Sequence, residues 1–209
     1  MKYNPDIHHR QSIRLKDYDY AQAGAYFVTI CTQGRECLFG EIKNGEMELN
    51  GYGEVVKSEW LKTPKMRPNV TLDEWVIMPN HMHSIINIYD GRGTLPRARA
   101  EGMGNQGTQQ RAPTVEQFGK PVSNSMPTIV RMFKSTTTKK INEMRGLPHS
   151  PVWQRNYYEH IIRNEKSLDK IREYIIDNPL RWKFDRDNPV SQPDSLEQDF
   201  WKVFGQNHK

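Results

Sequence analysis

Between Asn69 and Tyr89 two runs with strand character, "NVTLDEWVIM" and "HMHSIINIY", meet at Pro79-Asn80. Both are rich in β-branched and aromatic residues, and proline lacks the N–H that a ladder needs, so the break falls there. Every fold open to the chain has to accommodate this pair, and the other segments are read around it. Upstream, "AYFVTICTQ" reads as a strand from about Tyr26 to Thr32, and "CLFGEIKNGEMELN" as a hairpin turning at Asn44-Gly45. "GYGEVVKSEWLKTP" spaces Val55, Val56, Glu59 and Trp60 as an amphipathic helix stopped at Pro64. Downstream, "MPTIVRMFKSTTTKKINEMRG" reads as a helix with Ile129, Met132, Phe133 and Ile141 toward the core and Gly146 past its end. "PVWQRNYYEHII" has strand character. "NEKSLDKIREYIIDNP" repeats Leu168, Ile171 and Ile175 at helical spacing, and Pro179 ends it by steering the preceding residue away from helical angles.

The order is β, β-hairpin, α, β, β, α, β, α, with no glycine-rich nucleotide loop. It predicts an α+β fold: a ferredoxin-like antiparallel sheet with helices on one face, in one domain spanning 1–209. Residues 90–125 are rich in Gly, Pro, Gln and Arg and bury too little to offset their ordering entropy, so a flexible insertion is expected there. Residues 183–209 read as a polar C-terminal tail with scattered aromatics.

Charge narrows the partner. The formal net charge is +5, with five Trp and nine Tyr in a polar chain. That favours an anionic partner, with nucleic acid ahead of a membrane surface, because bases stack on such rings. Cys31 and Cys37 form no CxxC and read as free thiols of a reducing compartment. The N-terminus shows no apolar leader, and no run approaches the roughly 20 apolar residues of a membrane helix. A cytoplasmic protein is expected.

His81 and His83 lie two apart at the start of a strand, where side chains at i and i+2 share a face about 7 Å apart along the chain. Two imidazoles there can converge on one divalent ion, with a third ligand from another element. Without a Cys cluster or an HExxH, an open site for a harder ion with oxygen ligands fits better than a closed zinc site. Surface polar pairs give the same spacing. On the late helix, Tyr174 and Asn178 lie at i and i+4, on one face. Asn178 offers a carbonyl oxygen to a cation. Tyr174 offers a phenol, a good oxygen nucleophile for phosphorus once a nearby cation lowers its pKa. Both also read as ordinary core or helix-terminal residues, and Tyr157 and Tyr158 are rival nucleophiles.

The motifs "MPNHMH" and "WQRNYYEHIIRNEKSLDKIREYIIDNPLRW", with "YFVTICTQGRECLF" and "IVRMFKS", resemble the REP-associated tyrosine transposases, a branch of the HUH-type single-strand transposases. The resemblance runs from about Arg14 to Trp182. It implies a ferredoxin-like core that cleaves single-stranded DNA near hairpins, with Tyr174 forming a 5′-phosphotyrosine. It also implies Mg²⁺ or Mn²⁺ on His81 and His83, with Asn178 where related transposases carry a glutamine ligand. The partner would be single-stranded hairpin DNA, with no membrane, no nucleotide cofactor, and a monomeric or homodimeric protein near the nucleoid. Candidate DNA contacts are Arg14, Arg131, Lys134, Trp153, Arg155, Arg181 and Trp182, cations for the backbone and rings for bases. The rival readings are a domesticated hairpin-binding protein without cleavage, a replication initiator or relaxase, and a metallohydrolase that uses water.

Overall fold

Strand β5 (His81–Ile88) is buried at all its positions, which demands cover on both faces. The computed structural model, which describes residues 19–90 and 122–205, supplies that cover with two helical layers. Strand β5 pairs antiparallel with β4 (Val70–Ile77) on one side and with β1 (Gly24–Cys31) on the other, and β6 (Tyr158–Ile162) extends the sheet beyond β1. The order β4-β5-β1-β6, all antiparallel, is the ferredoxin-like α+β arrangement expected from the sequence.

Alternation along the strands separates two cores. Tyr26, Val28, Ile30, Met82 and Ile86 face α1 (Gly51–Leu61) and α3 (Met126–Arg145), which bring Val56, Trp60, Ile129, Phe133 and Ile141. These two helices form the expected layer on one face. Phe27 and Ile85 face the other way, against Ile171 and Ile175 of α4 (Glu165–Asp177) and Trp201 and Phe204 of α5 (Ser195–Phe204). The histidine face of β5 is thereby roofed by α4 and the C-terminal segment.

Local chemistry explains the joints. Asn44 and Gly45 both take left-handed φ values (52° and 83°), the pattern of a two-residue hairpin turn between β2 (Gly40–Lys43) and β3 (Glu46–Leu49). Pro79-Asn80 is the loop of a second tight hairpin, closed by the Met78 N–H on the His81 carbonyl at 2.8 Å. Ser125 caps α3, Asn164 caps α4, and Gly146 ends α3 in the left-handed region.

Four expectations are revised. Pro64 does more than stop α1, because it opens the short helix α2 (Thr63–Met66), where its missing N–H is harmless. Met132 is 50% exposed, one step round α3 from buried Phe133. Asn178 keeps helical angles (φ −57°, ψ −42°) in spite of Pro179, and its amide is held by Asp185. The polar tail contains α5, whose apolar face lies on the sheet. The flexible insertion expected over 90–125 lies largely outside the described residues, and its last residues, 122–125, lead into α3. Among the described residues no helix is long and apolar enough to cross a membrane. Cys31 and Cys37 are free thiols.

Candidate metal centre and tyrosine site

The strand alternation places His81 and His83 on the face beneath α4, both fully buried, with their Nε2 atoms 3.0 Å apart. Each ring is fixed through its other nitrogen. The Asn80 amide group donates to the carbonyls of Arg35 (3.1 Å) and Asp187 (2.7 Å), so its Oδ1 accepts from His81 Nδ1 at 2.8 Å. In the neutral ring this leaves Nε2 as the lone-pair nitrogen. Thr29 Oγ1 lies 2.8 Å from His83 Nδ1 and holds that ring in place. Burial first, then His81 and the Arg186 guanidinium, pushes His83 well below the ordinary imidazole value.

The third donor comes from the tail. The turn after α4 runs through a 3₁₀ segment (Trp182–Phe184) and brings buried Asp185 to the pair, its Oδ2 3.6 Å from His81 Nε2. His81, His83 and Asp185 each offer a ligand atom within 4.8 Å of the others. Asn178 is buried beside them. Its amide nitrogen donates to Asp185 Oδ2 at 2.8 Å, and its Oδ1 has no partner among the described residues. Two buried imidazoles and a buried carboxylate form a donor set that suits a divalent cation. Ligand bonds of about 2.1 Å at right angles separate neighbouring donors by about 3 Å, the spacing of the two Nε2 atoms.

Tyr174 lies on the same side. Its ring is 5.3 Å from the His83 ring and stacks on Phe200 at 3.7 Å with 9° between planes. Its hydroxyl donates to Glu197 Oε1 (3.1 Å) and receives the Trp201 indole N–H (3.2 Å). Glu197 is buried and also accepts from the Trp201 indole (2.8 Å) and the Arg186 backbone N–H (3.1 Å). Burial, then the Asp185 and Glu197 carboxylates, holds the Tyr174 phenol well above its usual value. Burial likewise raises Glu197, against the opposing Arg186 N–H. Tyr157 and Tyr158 part to opposite faces, Tyr157 packing on the α1/α3 core and Tyr158 on the α4/α5 core, where its hydroxyl bonds the Phe204 carbonyl.

The expected DNA contacts scatter. The Trp182 ring is 6.0 Å from the His81 ring, at the edge of the site. Arg181 is tied to Asp194 at 2.8 Å. Lys134 donates to the carbonyls of Gln154 and Asn156 at 2.9 and 2.8 Å, and burial pushes it down to about 8. Arg131 and Arg155 are exposed. Trp153 is corrected to a core residue: it is 5% exposed, packs on Phe39 and Phe133, and gives its indole N–H to Thr137. Arg14 lies outside the described residues. Sequence reasoning missed Asp185, Glu197 and Trp201. The signals were Asp194 followed three residues later by Glu197, a capping pattern, and Phe200 and Phe204 at helical spacing.

The chain is 46% identical over 185 residues to an uncharacterised protein of Haemophilus influenzae, covering 88% of this chain and 96% of that one. A second protein of that organism, provisionally named a REP-associated tyrosine transposase, is 25% identical over 163 residues, 78% of this chain and 74% of its own. A solved structure of a REP-associated tyrosine transposase bound to a REP hairpin superposes with a TM-score of 0.49 at 20% identity, covering 77% of this chain and 69% of that one. No protein-family model matches the chain.

Proposed function

Because the chain belongs to one family with the Haemophilus influenzae protein and is similar to the REP-associated tyrosine transposases, we propose a function in cutting and rejoining single-stranded hairpin DNA. The observation that carries this reading is the gathering of His81, His83 and Asp185 beside a tyrosine on the same face of the sheet. His81, His83, Asp185 and the free Asn178 oxygen would hold Mg²⁺ or Mn²⁺. Such an ion, when bound, supplies Lewis-acid polarisation of a phosphodiester oxygen.

The protein's own groups do the rest. Tyr174 is the nucleophile: its oxygen bonds to phosphorus and the bond from phosphorus to the 3′ oxygen breaks. The phenol proton passes to Glu197 Oε1, which already accepts the phenol's hydrogen bond, and the leaving 3′ oxygen takes up a proton to become a hydroxyl. The resulting 5′-phosphotyrosine conserves the energy of the diester, so a 3′-hydroxyl can reverse the step without ATP. On this reading Trp182, whose ring lies 6.0 Å from that of His81, would stack a base, and Arg186, whose guanidinium lies 4.1 Å over the Trp201 ring, would meet a phosphate.

The test is a covalent adduct. Labelled hairpin DNA with single-stranded flanks, incubated with the protein and Mg²⁺ or Mn²⁺, should yield a protein–DNA species that survives denaturation. Tyr174→Phe should abolish it; an undiminished adduct in that variant sinks the assignment. One observation favours a binding-only alternative: Phe200, Glu197 and Trp201 cover the tyrosine from α5. On that reading hairpin DNA binds, His81→Ala leaves the affinity intact, and no adduct forms in either metal.

A further inference from the structure

Asn80 lies in the loop of the β4–β5 hairpin, directly before His81, and is fully buried. The backbone of that loop is pinned: the Phe39 N–H donates to the Pro79 carbonyl at 2.9 Å, and the Thr32 N–H to the Asn80 carbonyl at 2.8 Å. The surroundings permit the side-chain amide one orientation. The two groups beside its nitrogen, the carbonyls of Arg35 and Asp187, are acceptors only. Turned over, the amide would set its own oxygen against both, and a buried polar group that loses its partner costs about 1–3 kcal/mol. Asp187 acts at two points of this arrangement. Its carbonyl holds the Asn80 amide, and its backbone N–H donates to Asp185 Oδ1 at 2.6 Å. One residue thereby steadies the carboxylate and, through Asn80, the imidazole that the carboxylate meets. Arg35 ties the segment down, with Nη1 on the Arg186 carbonyl at 2.9 Å and Nη2 on the Asp187 carboxylate at 3.1 Å.

We propose that Asn80 is a positioning residue of the cation site. It holds the proton of the neutral His81 ring on Nδ1, so that Nε2, the atom facing His83 and Asp185, is committed to the ion. A metal-ligating imidazole is neutral and presents one lone pair, and the hydrogen bond at its other nitrogen decides which. An acceptor at Nδ1 leaves Nε2 open. A donor there would move the proton to Nε2 and close it. The carbonyls of Arg35 and Asp187 ensure that His81 meets the acceptor. The choice is therefore made by the backbone of two distant segments, one after β1 and one beyond the 3₁₀ turn, and by none of the ligands. This role rests on His81 as a ligand, the reading proposed above, but not on Tyr174 or on cleavage.

The experiment uses the full chain and needs neither DNA nor turnover. With the histidines labelled by ¹⁵N, long-range ¹H–¹⁵N spectra in EDTA at about pH 8, where an ordinary imidazole is neutral, show which ring nitrogen carries the proton. Titration with Mn²⁺ gives the dissociation constant. Wild-type His81 should carry its proton on Nδ1. Asn80→Ala should lose that preference and bind Mn²⁺ about 10–100 times more weakly. Asn80→Asp gives up both donors but keeps an oxygen for Nδ1. It should retain the Nδ1 proton and bind Mn²⁺ nearly as wild type does, although it unfolds at lower urea. A purely structural Asn80 predicts the reverse order, with Asn80→Asp the worse of the two because it buries a carboxylate against two carbonyls. Three results overturn the role of Asn80 alone: a wild type that binds Mn²⁺ but carries the His81 proton on Nε2 in EDTA, an Asn80→Ala that binds as tightly as wild type, or an Asn80→Asp that binds as weakly as Asn80→Ala. The first needs no variant, so a fold lost on substitution does not shelter the proposal. A wild type that binds no Mn²⁺ removes the cation reading itself, and the role of Asn80 with it.

Discussion

Replacing Asn178 by alanine separates a ligand from a structural residue. Without a cation, the substitution removes the bond from Asn178 to buried Asp185, a hydrogen bond to a charged group that contributes about 1.5–3 kcal/mol. It also removes an orphaned buried oxygen, whose desolvation costs about 1–3 kcal/mol. The two nearly cancel, so stability in EDTA should stay within about 2 kcal/mol of wild type. With Mn²⁺ at about a hundredfold its wild-type dissociation constant, the ion should stabilise the wild-type protein by about 2.7 kcal/mol. A variant that binds the ion ten to a hundred times more weakly keeps about 1.4 to 0.4 kcal/mol of that. Urea unfolding in EDTA and in Mn²⁺ gives all four numbers. An Mn²⁺ stabilisation equal in the two proteins would remove Asn178 from the donor set. A large loss in EDTA alone would make it a purely structural residue.

Three further expectations concern other parts of the molecule. Glu197→Gln keeps an oxygen for the Trp201 and Arg186 donors but takes no proton, and should slow adduct formation about a hundredfold. The wild-type rate should fall as pH drops through a Glu197 value that burial has raised above the ordinary carboxylate range, and this limb should be missing in the variant. A rate unchanged in both respects removes Glu197 as proton acceptor. Burial pushes Asp73 up, but the two bonds from Arg172 (2.9 and 2.7 Å) outweigh it and hold the carboxyl below its usual value. Its stabilising effect is thus present above the unfolded value near 3.9 and lost as pH falls through the folded one. Asp73→Asn should cost about 1 kcal/mol in urea at neutral pH and converge on wild type in acid; equal loss at both extremes refutes this. Trp153→Ala should lower the urea midpoint by an amount equivalent to about 3–5 kcal/mol, and an unchanged midpoint would return this ring to the surface.

Much of the fold was legible because the cues are local. Strand alternation put Met82 in packing and both imidazoles on the opposite face, and Asn44-Gly45 turned its hairpin. The donor set was only half legible. His81 and His83 announce themselves by spacing, whereas Asp185 reaches them only because Asn178 stays helical before Pro179 and the chain keeps turning. The Asn178 amide then meets Asp185 seven residues on, a contact that no propensity encodes. Trp153 misled for a related reason: an indole reads equally as a stacking platform and as a core ring, and the deciding partner, Thr137, sits on another element. The C-terminal helix was hidden by its many polar residues, although its apolar stripe was present.

Asn80 joins the beginning of β5 to a carbonyl 107 residues further along the chain. On a ribosome the histidines therefore emerge long before Asp185 and Glu197, the groups that complete the candidate donor set and cover the tyrosine. A nascent or C-terminally truncated chain without these two residues lacks both the carboxylate beside the histidines and the one bonded to the tyrosine.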